Sequence, residues 1–241
     1  MEAMSLSKTD AQSNAGGAPV LCVDLDGTLV KSDTLSDSLC ALAHKAPRRF
    51  VQAPLWLLRG RAHFKATLAA QVLPDPAQLP YNAELMVYLR QQAATGRTLV
   101  LATGADQHLA ERVAQHLGFF DAVLASDGTT NLTGKKKLRL LEERFGAQGF
   151  DYIGNSHTDV PLLCAAATAY LANPARGLRQ RVQALRRRAN PVAPQPQVFV
   201  DRAPLLRTLL RTLRVHQWAK NALLFLPLLL AHKLRGPAFA V

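Results

Sequence analysis

The chain has 241 residues, of which 49% are hydrophobic, 19% charged and 6% aromatic, a composition that excludes collagen-like and wholly disordered proteins. Its 29 Lys and Arg residues exceed its 17 Asp and Glu residues, so the net charge is +12. Residues 1–170 carry 16 basic and 16 acidic side chains, whereas residues 171–241 carry 13 basic side chains and one acid, Asp201. A uniformly basic nucleic-acid-binding domain is therefore excluded, and a neutral body with a cationic appendage is expected.

The N-terminal 17 residues are rich in Ser, Asn, Ala and Gly and contain no apolar stretch. This pattern predicts a disordered N-terminus rather than a signal peptide. The three cysteines lack the spacing of a metal site, which favours reduced thiols in a cytoplasmic domain.

Short apolar runs then alternate with helical patterns over residues 18–173. Strands are predicted at residues 20–23, 97–102, 122–124 and 152–153, and helices at residues 83–94, 107–117, 136–145 and 160–167. This alternation predicts an α/β fold, a Rossmann-like parallel sheet with helices on both faces. Ligands of such folds bind at the carboxyl ends of the strands, so the polar residues that follow each strand are the candidate site residues.

A long insertion, residues 34–80, separates the first two strands. It contains Trp56 and several prolines, and it is much longer than the dozen or so residues that a simple crossover needs. The surplus predicts a small helical cap placed over the strand ends.

The chain becomes basic after residue 173. Residues 174–200 predict a basic helix followed by a Pro-rich linker. Residues 203–214 place leucines on one helical face and arginines on the other, and residues 222–231 are apolar throughout. That run is shorter than the ~20 residues that span a bilayer, so residues 201–241 predict a segment that associates with an anionic membrane surface.

The strongest motif is Asp-Leu-Asp-Gly-Thr-Leu-Val at residues 24–30, directly after the first strand. Carboxylates two residues apart at a strand end, Asp24 and Asp26, point the same way, and Gly27 permits a sharp turn. Taken alone, the two acids could equally form a turn that caps a helix near Thr34. With the flanking strand and the following Gly-Thr-Leu-Val, they resemble the first motif of the haloacid dehalogenase superfamily, whose members are mostly phosphatases. The chemistry that this resemblance implies suits the two acids, since one carboxylate can attack phosphorus while a second passes a proton to the leaving oxygen.

The resemblance covers about residues 18–173 and implies roles for particular residues. Asp24 would be the nucleophile that forms an aspartyl-phosphate, and Asp26 the general acid and base. Thr103 resembles the second motif, a hydroxyl that with Gly104 binds a phosphoryl oxygen, although a Thr at this point could also cap a helix. One lysine of the run at residues 135–137 would offset the phosphate charge; spacing and helix register favour Lys137, but any of the three could serve.

Residues 154–159, Gly-Asn-Ser-His-Thr-Asp, resemble the fourth motif, usually Gly-Asp-x-x-x-Asp, whose acids hold Mg²⁺. Here Asn155 stands at the first acid, and an amide oxygen can ligate a hard cation without adding charge. The resemblance implies a metal site made of Asp24, Asp26, Asn155 and Asp159, with the direct ligand able to shift from Asn155 to Asp159. The departure leaves open a non-catalytic domain.

A second resemblance lies in the tail. Residues 214–221, Arg-Val-His-Gln-Trp-Ala-Lys-Asn, and the apolar run after them look like the opening of UbiA-type polyprenyl-group transferases, some of which carry a dehalogenase-like domain in front. The acidic metal-binding motif of that family would lie further downstream. We therefore expect the chain to be a fragment of a longer protein, or the segment to be a remnant.

Two functional hypotheses follow. The first is a Mg²⁺-dependent hydrolase of a small phosphorylated substrate, held at the cytoplasmic face of a membrane. The alternative is a non-catalytic or regulatory N-terminal module of a membrane prenyltransferase. Nucleic acid is not expected as a partner, because the basic helix has a leucine face and precedes an apolar segment.

Overall fold

The structure is a computed structural model that describes residues 18–201. The predicted N-terminal disorder of residues 1–17 and all but the first residue of the predicted membrane-associating segment, 201–241, lie outside the described residues. Six parallel strands form one sheet in the order β3-β2-β1-β4-β5-β6. They are β1 Val20–Val23, β2 Leu99–Asp106, β3 Ala122–Ser126, β4 Phe150–Gly154, β5 Ala169–Ala172 and β6 Gln197–Phe199.

Helices connect the strands and complete the α/β architecture. Five lie between β1 and β2, and one follows each of β2, β3, β4 and β5: α1 Thr34–Lys45, α2 Pro47–Phe50, α3 Ala53–Leu57, α4 Arg61–Gln71, α5 Ala83–Ala94, α6 Gln107–Leu117, α7 Lys135–Phe145, α8 Val160–Ala165 and α9 Leu178–Ala189. Turns of 3₁₀ helix occupy Pro76–Gln78 and His157–Asp159. The predicted fold class, a parallel sheet with surrounding helices, is confirmed.

Both faces of the sheet are buried, which explains why its strands read as continuous apolar runs. In β1, Leu21 and Val23 join the core on one face, while Cys22 joins the core on the other. The alternation follows from the two-residue period of a strand. The carboxyl end of β1 is thereby fixed at the middle of the sheet, between β2 and β4.

The cap is built from α1 to α4 and has a small core of its own. Leu42, Ala53, Phe64, Leu68 and Val72 are buried together there. Asp33 begins the cap by accepting hydrogen bonds from the Leu35 and Ser36 amides at the N-terminus of α1. Among the helices of the described residues, none has both the length and the apolar character that crossing a bilayer requires.

The sheet continues beyond residue 173, where the predicted hydrolase domain ends. β6 lies inside the predicted linker and pairs with β5, and its three residues are too few to show a strand period. Helix α9 is anchored by Arg186, which is 7% exposed and donates to the carbonyls of Leu163, Ala166 and Ala167. The basic helix and the linker therefore pack as part of the same domain as the sheet. Arg186 holds the helix in place, and the pairing of β6 with β5 holds the linker.

Candidate active site

The polar residues after β1 and β4 meet at the carboxyl edge of the sheet. Asp24 directly follows β1 and is 8% exposed. Lys137, in the first turn of α7, donates from Nζ to Asp24 Oδ1 at 2.8 Å and to the Tyr152 hydroxyl at 3.0 Å. The Tyr152 hydroxyl in turn donates to Asp159 Oδ1 at 3.2 Å. A buried chain of charge-assisted hydrogen bonds thus links residues of β1, α7, β4 and the turn after β4.

Burial determines the protonation of the side chains in this hydrogen-bonded series. It raises the pKa of Asp24 to about 7, against the opposing effect of the neighbouring Lys137 ammonium. Burial also raises the pKa of Tyr152 well above its usual value, which keeps its hydroxyl a proton donor to Asp159. Asp24 is therefore a carboxyl whose charge depends on pH near neutrality.

Asp26 is held by the start of the cap. Its Oδ1 accepts from the Thr34 amide at 2.8 Å and from the Thr34 hydroxyl at 2.7 Å, while its Oδ2 accepts no hydrogen bond within residues 18–201. Burial raises the pKa of Asp26, and the two bonds from Thr34 oppose that rise. One oxygen is thus fixed by the first turn of α1, and the other has no hydrogen-bond partner among residues 18–201.

The structure separates the three candidate lysines. Lys135 and Lys136 are exposed, whereas Lys137 is 3% exposed and lies on the same face of α7 as the buried Leu141. The helical spacing of four residues places that face against the sheet. Of the three, only Lys137 reaches Asp24.

Thr103 and Gly104 lie within β2, which continues to Asp106 instead of ending at Ala102. The pairing of β2 with β3 shifts register between Ala102 and Asp106. Thr103 is 1% exposed, its Oγ1 accepts from the Ala105 amide at 3.0 Å, and it does not line the cleft. Gly104 does line it, so the structure brings Gly104 but not the Thr103 hydroxyl to the cleft surface.

The two candidate ligands after β4 have different surroundings. Asp159 has both oxygens engaged: Oδ1 accepts from Tyr152, and Oδ2 from the Ser156 amide at 3.1 Å and its hydroxyl at 2.8 Å. Asn155 lies over Gly27, where a Cβ would come within 2.0 Å of its amide nitrogen. Gly27, at φ +71°, therefore serves both the turn and the space that Asn155 fills.

These groups line an open cleft of about 400 Å³ between the body and the cap. Its lining includes Asp24, Asp26, Gly104, Lys137, Asn155 and Asp159. A second pocket of about 170 Å³ adjoins Asp26 and is lined partly by apolar residues of α1, α4 and α6. The cleft can thus hold an anion beside Lys137, and the second pocket adjoins the carboxyl proposed to transfer protons.

Lys65 belongs to both pockets and was not predicted from the sequence. From α4 its Nζ reaches the Gly104 carbonyl and, at 3.1 Å, Asn131 Oδ1. Burial lowers the pKa of Lys65, and the nearby Asp26 carboxylate opposes the change. A helical pattern could have identified it, because Lys65 is three residues from both Ala62 and Leu68 on the buried face of α4. Tyr152 was also missed, as a polar group within an apolar strand.

The donors at the cleft fit Mg²⁺, since all are oxygens and Mg²⁺ is typically held by one or two carboxylates with several waters retained. Asp24 and Asn155 present such atoms at one edge of the cleft. Within residues 18–201, no group of three or more His, Cys, Asp or Glu side chains is placed to hold a metal ion. A cation here would therefore meet less negative charge than a site with an acid at residue 155 would provide.

Comparisons with known proteins agree with this architecture. The family model of haloacid dehalogenase-like hydrolases matches residues 21–164, more than half of the chain. Uncharacterized protein y4nM of Sinorhizobium fredii (strain NBRC 101917 / NGR234) is 34% identical over 213 residues, which are 88% of this chain and 40% of that protein. The chain thus spans two fifths of the length of this curated relative.

One solved structure shares the fold, and a second is similar at a lower TM-score. A protein with unknown function from Bordetella pertussis Tohama I has a TM-score of 0.55 at 20% identity, over 76% of this chain and 97% of that chain. A HAD family hydrolase from Salmonella enterica subsp. enterica serovar Typhi has a TM-score of 0.49 at 14% identity, over 67% and 65%. With the family model covering the strand that carries Asp24 and the helix that carries Lys137, the chain belongs to the haloacid dehalogenase-like hydrolases.

Proposed function

We propose that the chain hydrolyses a small phosphomonoester through an aspartyl-phosphate on Asp24. The observation that carries the proposal is the pair of Asp24 and Lys137, joined at 2.8 Å on the floor of an open cleft. A carboxylate and an ammonium in contact there supply a nucleophile and a charge for the phosphoryl oxygens. The chain belongs to a family of hydrolases, and the pair of Asp24 and Lys137 indicates that the atom attacked is phosphorus.

In the first step, the free oxygen of the Asp24 carboxylate attacks phosphorus and the bond from phosphorus to the leaving oxygen breaks. Protonated Asp26 donates its proton from Oδ2 to that leaving oxygen. The raised pKa of Asp26 favours the protonated form that this step needs. Thr34 keeps the other Asp26 oxygen in place throughout.

In the second step, Asp26 accepts a proton from water as the water oxygen attacks phosphorus. The bond between phosphorus and Asp24 breaks, which releases orthophosphate and restores the carboxylate. Lys137 and the backbone at Gly104 face the phosphoryl oxygens in both steps. Tyr152 and Asp159 act as positioning residues, because Tyr152 accepts a hydrogen bond from Lys137 and Asp159 holds the Tyr152 hydroxyl. A direct contact of Thr103 with phosphate stays a prediction.

We propose Mg²⁺ as the cofactor, held by the Asp24 carboxylate, the Asp26 carbonyl and the side-chain oxygen of Asn155. Bound Mg²⁺ would supply positive charge that offsets the charge of the phosphoryl group. Asp159, proposed from the sequence as an alternative direct ligand, is better suited to holding the loop that carries Asn155, since both of its oxygens are already engaged.

A second candidate is a non-catalytic module of a longer membrane protein, and the observation that favours it is the uncharged Asn155. The resemblance of residues 214–221 to UbiA-type transferases, and membrane attachment through residues 201–241 at the cytoplasmic face, stay predictions from the sequence. The intact pair of Asp24 and Lys137 favours catalysis over this candidate.

The test is orthophosphate release from an aryl phosphate and a panel of small phosphomonoesters with Mg²⁺, using the full chain. We expect turnover by the wild type and a loss of at least about a thousandfold in Asp24→Asn, since an amide is a poor nucleophile. Asp75→Asn, which changes an acid that accepts hydrogen bonds from Ala77 and Gln78 and lines neither pocket, is the matched control. No release by the wild type from any substrate would favour the non-catalytic candidate.

A further inference from the structure

Large apolar side chains are exposed in one short segment of the cap. Eight such side chains are exposed within residues 18–201, and five of them lie between residues 50 and 58: Phe50, Val51, Leu55, Leu57 and Leu58. Leu58 alone is 83% exposed. Single exposed apolar residues are ordinary, but a contiguous group of them marks a binding surface.

The segment is folded around inward-facing residues of its own. Ala53 is buried, and Trp56 is half-buried, with one side of it packed against the cap core. The two short helices α2 and α3 are therefore fixed on one side. The five apolar side chains on these helices and directly after them are exposed to solvent.

The part of the sequence that carries the apolar group is basic and contains no acid. Residues 38–74 contain six Lys and Arg residues and not one Asp or Glu. Arg48, Arg59 and Arg61 are exposed, and none of them forms an ion pair within the described residues. An apolar group ringed by unpaired arginines is complementary to a surface that is negatively charged outside and apolar beneath.

We propose that residues 48–61, the cap segment, dock on an anionic lipid bilayer. The side chains of Phe50, Leu55 and Leu58 enter the boundary of the acyl chains, and the flanking arginines face lipid phosphates. The exposed part of the half-buried Trp56 ring lies at headgroup depth, where such rings are favoured. This docking surface belongs to the cap and is separate from the attachment predicted for residues 201–241.

Charge argues against the other occupants that this chain could supply. Residues 202–241 contain seven Lys and Arg residues and no acid, so their binding to the cap segment would bring like charges together. A second copy would place the same unpaired arginines against each other. Both contacts are disfavoured by repulsion between like charges, whereas an anionic bilayer attracts the arginines.

The test uses one tryptophan of the full chain as a depth probe. The chain has two tryptophans, and Trp218→Phe leaves Trp56 as the only one. We expect vesicles of phosphatidylglycerol with bromine-labelled acyl chains to quench Trp56, and phosphatidylcholine vesicles with the same label to leave it nearly unquenched. Co-sedimentation of the chain with phosphatidylglycerol while Trp56 stays unquenched would overturn the proposal, because attachment would then be through the tail alone.

Variants separate the two parts of the contact. The double change Leu55→Ser and Leu58→Ser should weaken quenching at a given lipid concentration by about tenfold or more, and Val87→Ser, at a site 58% exposed on α5, should not. Arg48→Gln and Arg59→Gln should each weaken it by about fivefold, and only with anionic lipid. Self-association without lipid that the Leu55 and Leu58 changes abolish would assign the surface to a second copy and overturn the proposal. The leucines lie outside the cleft, so hydrolysis of a soluble aryl phosphate should be unchanged.

Discussion

Charged side chains are paired on the floor of the cleft, which is formed by Asp24, Lys137 and Asp159, and unpaired in the cap segment. On the floor, Lys137 faces Asp24, and Asp159 holds Tyr152 and Ser156, so each charge has a partner at hydrogen-bond distance. In the cap segment, residues 48–61, the exposed arginines face no carboxylate of the described chain. Paired groups in a buried place are positioned for a reaction, whereas unpaired groups on a surface are free for recognition.

Lys65 belongs to the cap but reaches the floor of the cleft. Its contact with the Gly104 carbonyl makes it a polar link from α4 to β2 across the cleft. The floor should therefore control the rate of the chemical step, and Lys65 should control how well the leaving group is held. The following predictions test this division, from the largest expected effect to the smallest.

The largest loss of activity is expected for Lys137→Met. Loss of a buried ammonium that faces the phosphoryl group should lower kcat by about a hundredfold to a thousandfold. The matched control is Lys136→Met, an exposed neighbour that should retain near-normal kcat. Steady-state hydrolysis of an aryl phosphate measures both. Equal losses in the two variants would mean that the basic run acts as a whole and that Lys137 has no special place.

The pH dependence should have opposite signs for activity and stability. Because burial raises the pKa of Asp24 from 3.8 to about 7, the nucleophile is mostly protonated below neutral pH. At a fixed low Mg²⁺ concentration, kcat/KM should rise about tenfold per pH unit towards that pKa, and it should fall again at the pH where Asp26 loses the proton that it donates to the leaving group.

Stability should change the other way over the same range. The folded chain binds the Asp24 proton more tightly than the unfolded chain between about pH 4 and 7, so the contribution of Asp24 to the free energy of unfolding falls as pH rises. Urea titrations at pH 5 and pH 8 measure the change. Asp24→Asn should show a smaller loss between these pH values, and an identical loss would place the titrating group elsewhere.

Asn155→Asp tests whether the side chain at residue 155 contacts the cation. Adding a charge beside the cation should reduce the Mg²⁺ concentration for half-maximal activity by about tenfold, which corresponds to an interaction with a charged group of about 1.4 kcal/mol. Activity and thermal stability are titrated with Mg²⁺ for both proteins. Asn131→Asp, which adds the same charge beside Lys65, serves as a control. An unchanged Mg²⁺ requirement in Asn155→Asp would show that residue 155 does not contact the ion.

Lys65→Met should have the smallest effect and a different character. We expect KM to rise several-fold while kcat changes by less than about threefold, because the residue touches the leaving-group side of the cleft rather than Asp24. The restoring control is Lys65→Arg, which keeps the charge. A fall in kcat as large as that of Lys137→Met would remove the distinction between cap and floor.

The parts that local patterns determine were predicted well. β1, α5 and α6 have the predicted bounds, since each is a clear apolar period closed by a polar or glycine residue. The motif after β1 and the position of Lys137 on α7 depend on spacing along one element, and the structure brings Asp24 and Lys137 together.

The parts that depend on distant neighbours were not predictable in the same way. β6 has no strand period and becomes a strand only by pairing with β5. β2 runs past Thr103 and pairs with β3 across a register shift, and the Thr103 hydroxyl accepts from the Ala105 amide instead of lining the cleft. Lys65 and Tyr152 look like ordinary members of a helix and a strand until tertiary contacts join them to the site.

The central claim is that Asp24 forms a covalent bond to phosphorus, and trapping the phosphoenzyme tests it most directly. Asp26→Asn protein, mixed with an aryl phosphate and Mg²⁺ and quenched in acid, should carry a hydroxylamine-sensitive phosphoryl group on the peptide that contains Asp24, because water activation is impaired. The double variant with Asp24→Asn should carry none. Label on another residue, or equal label in the double variant, would contradict the account.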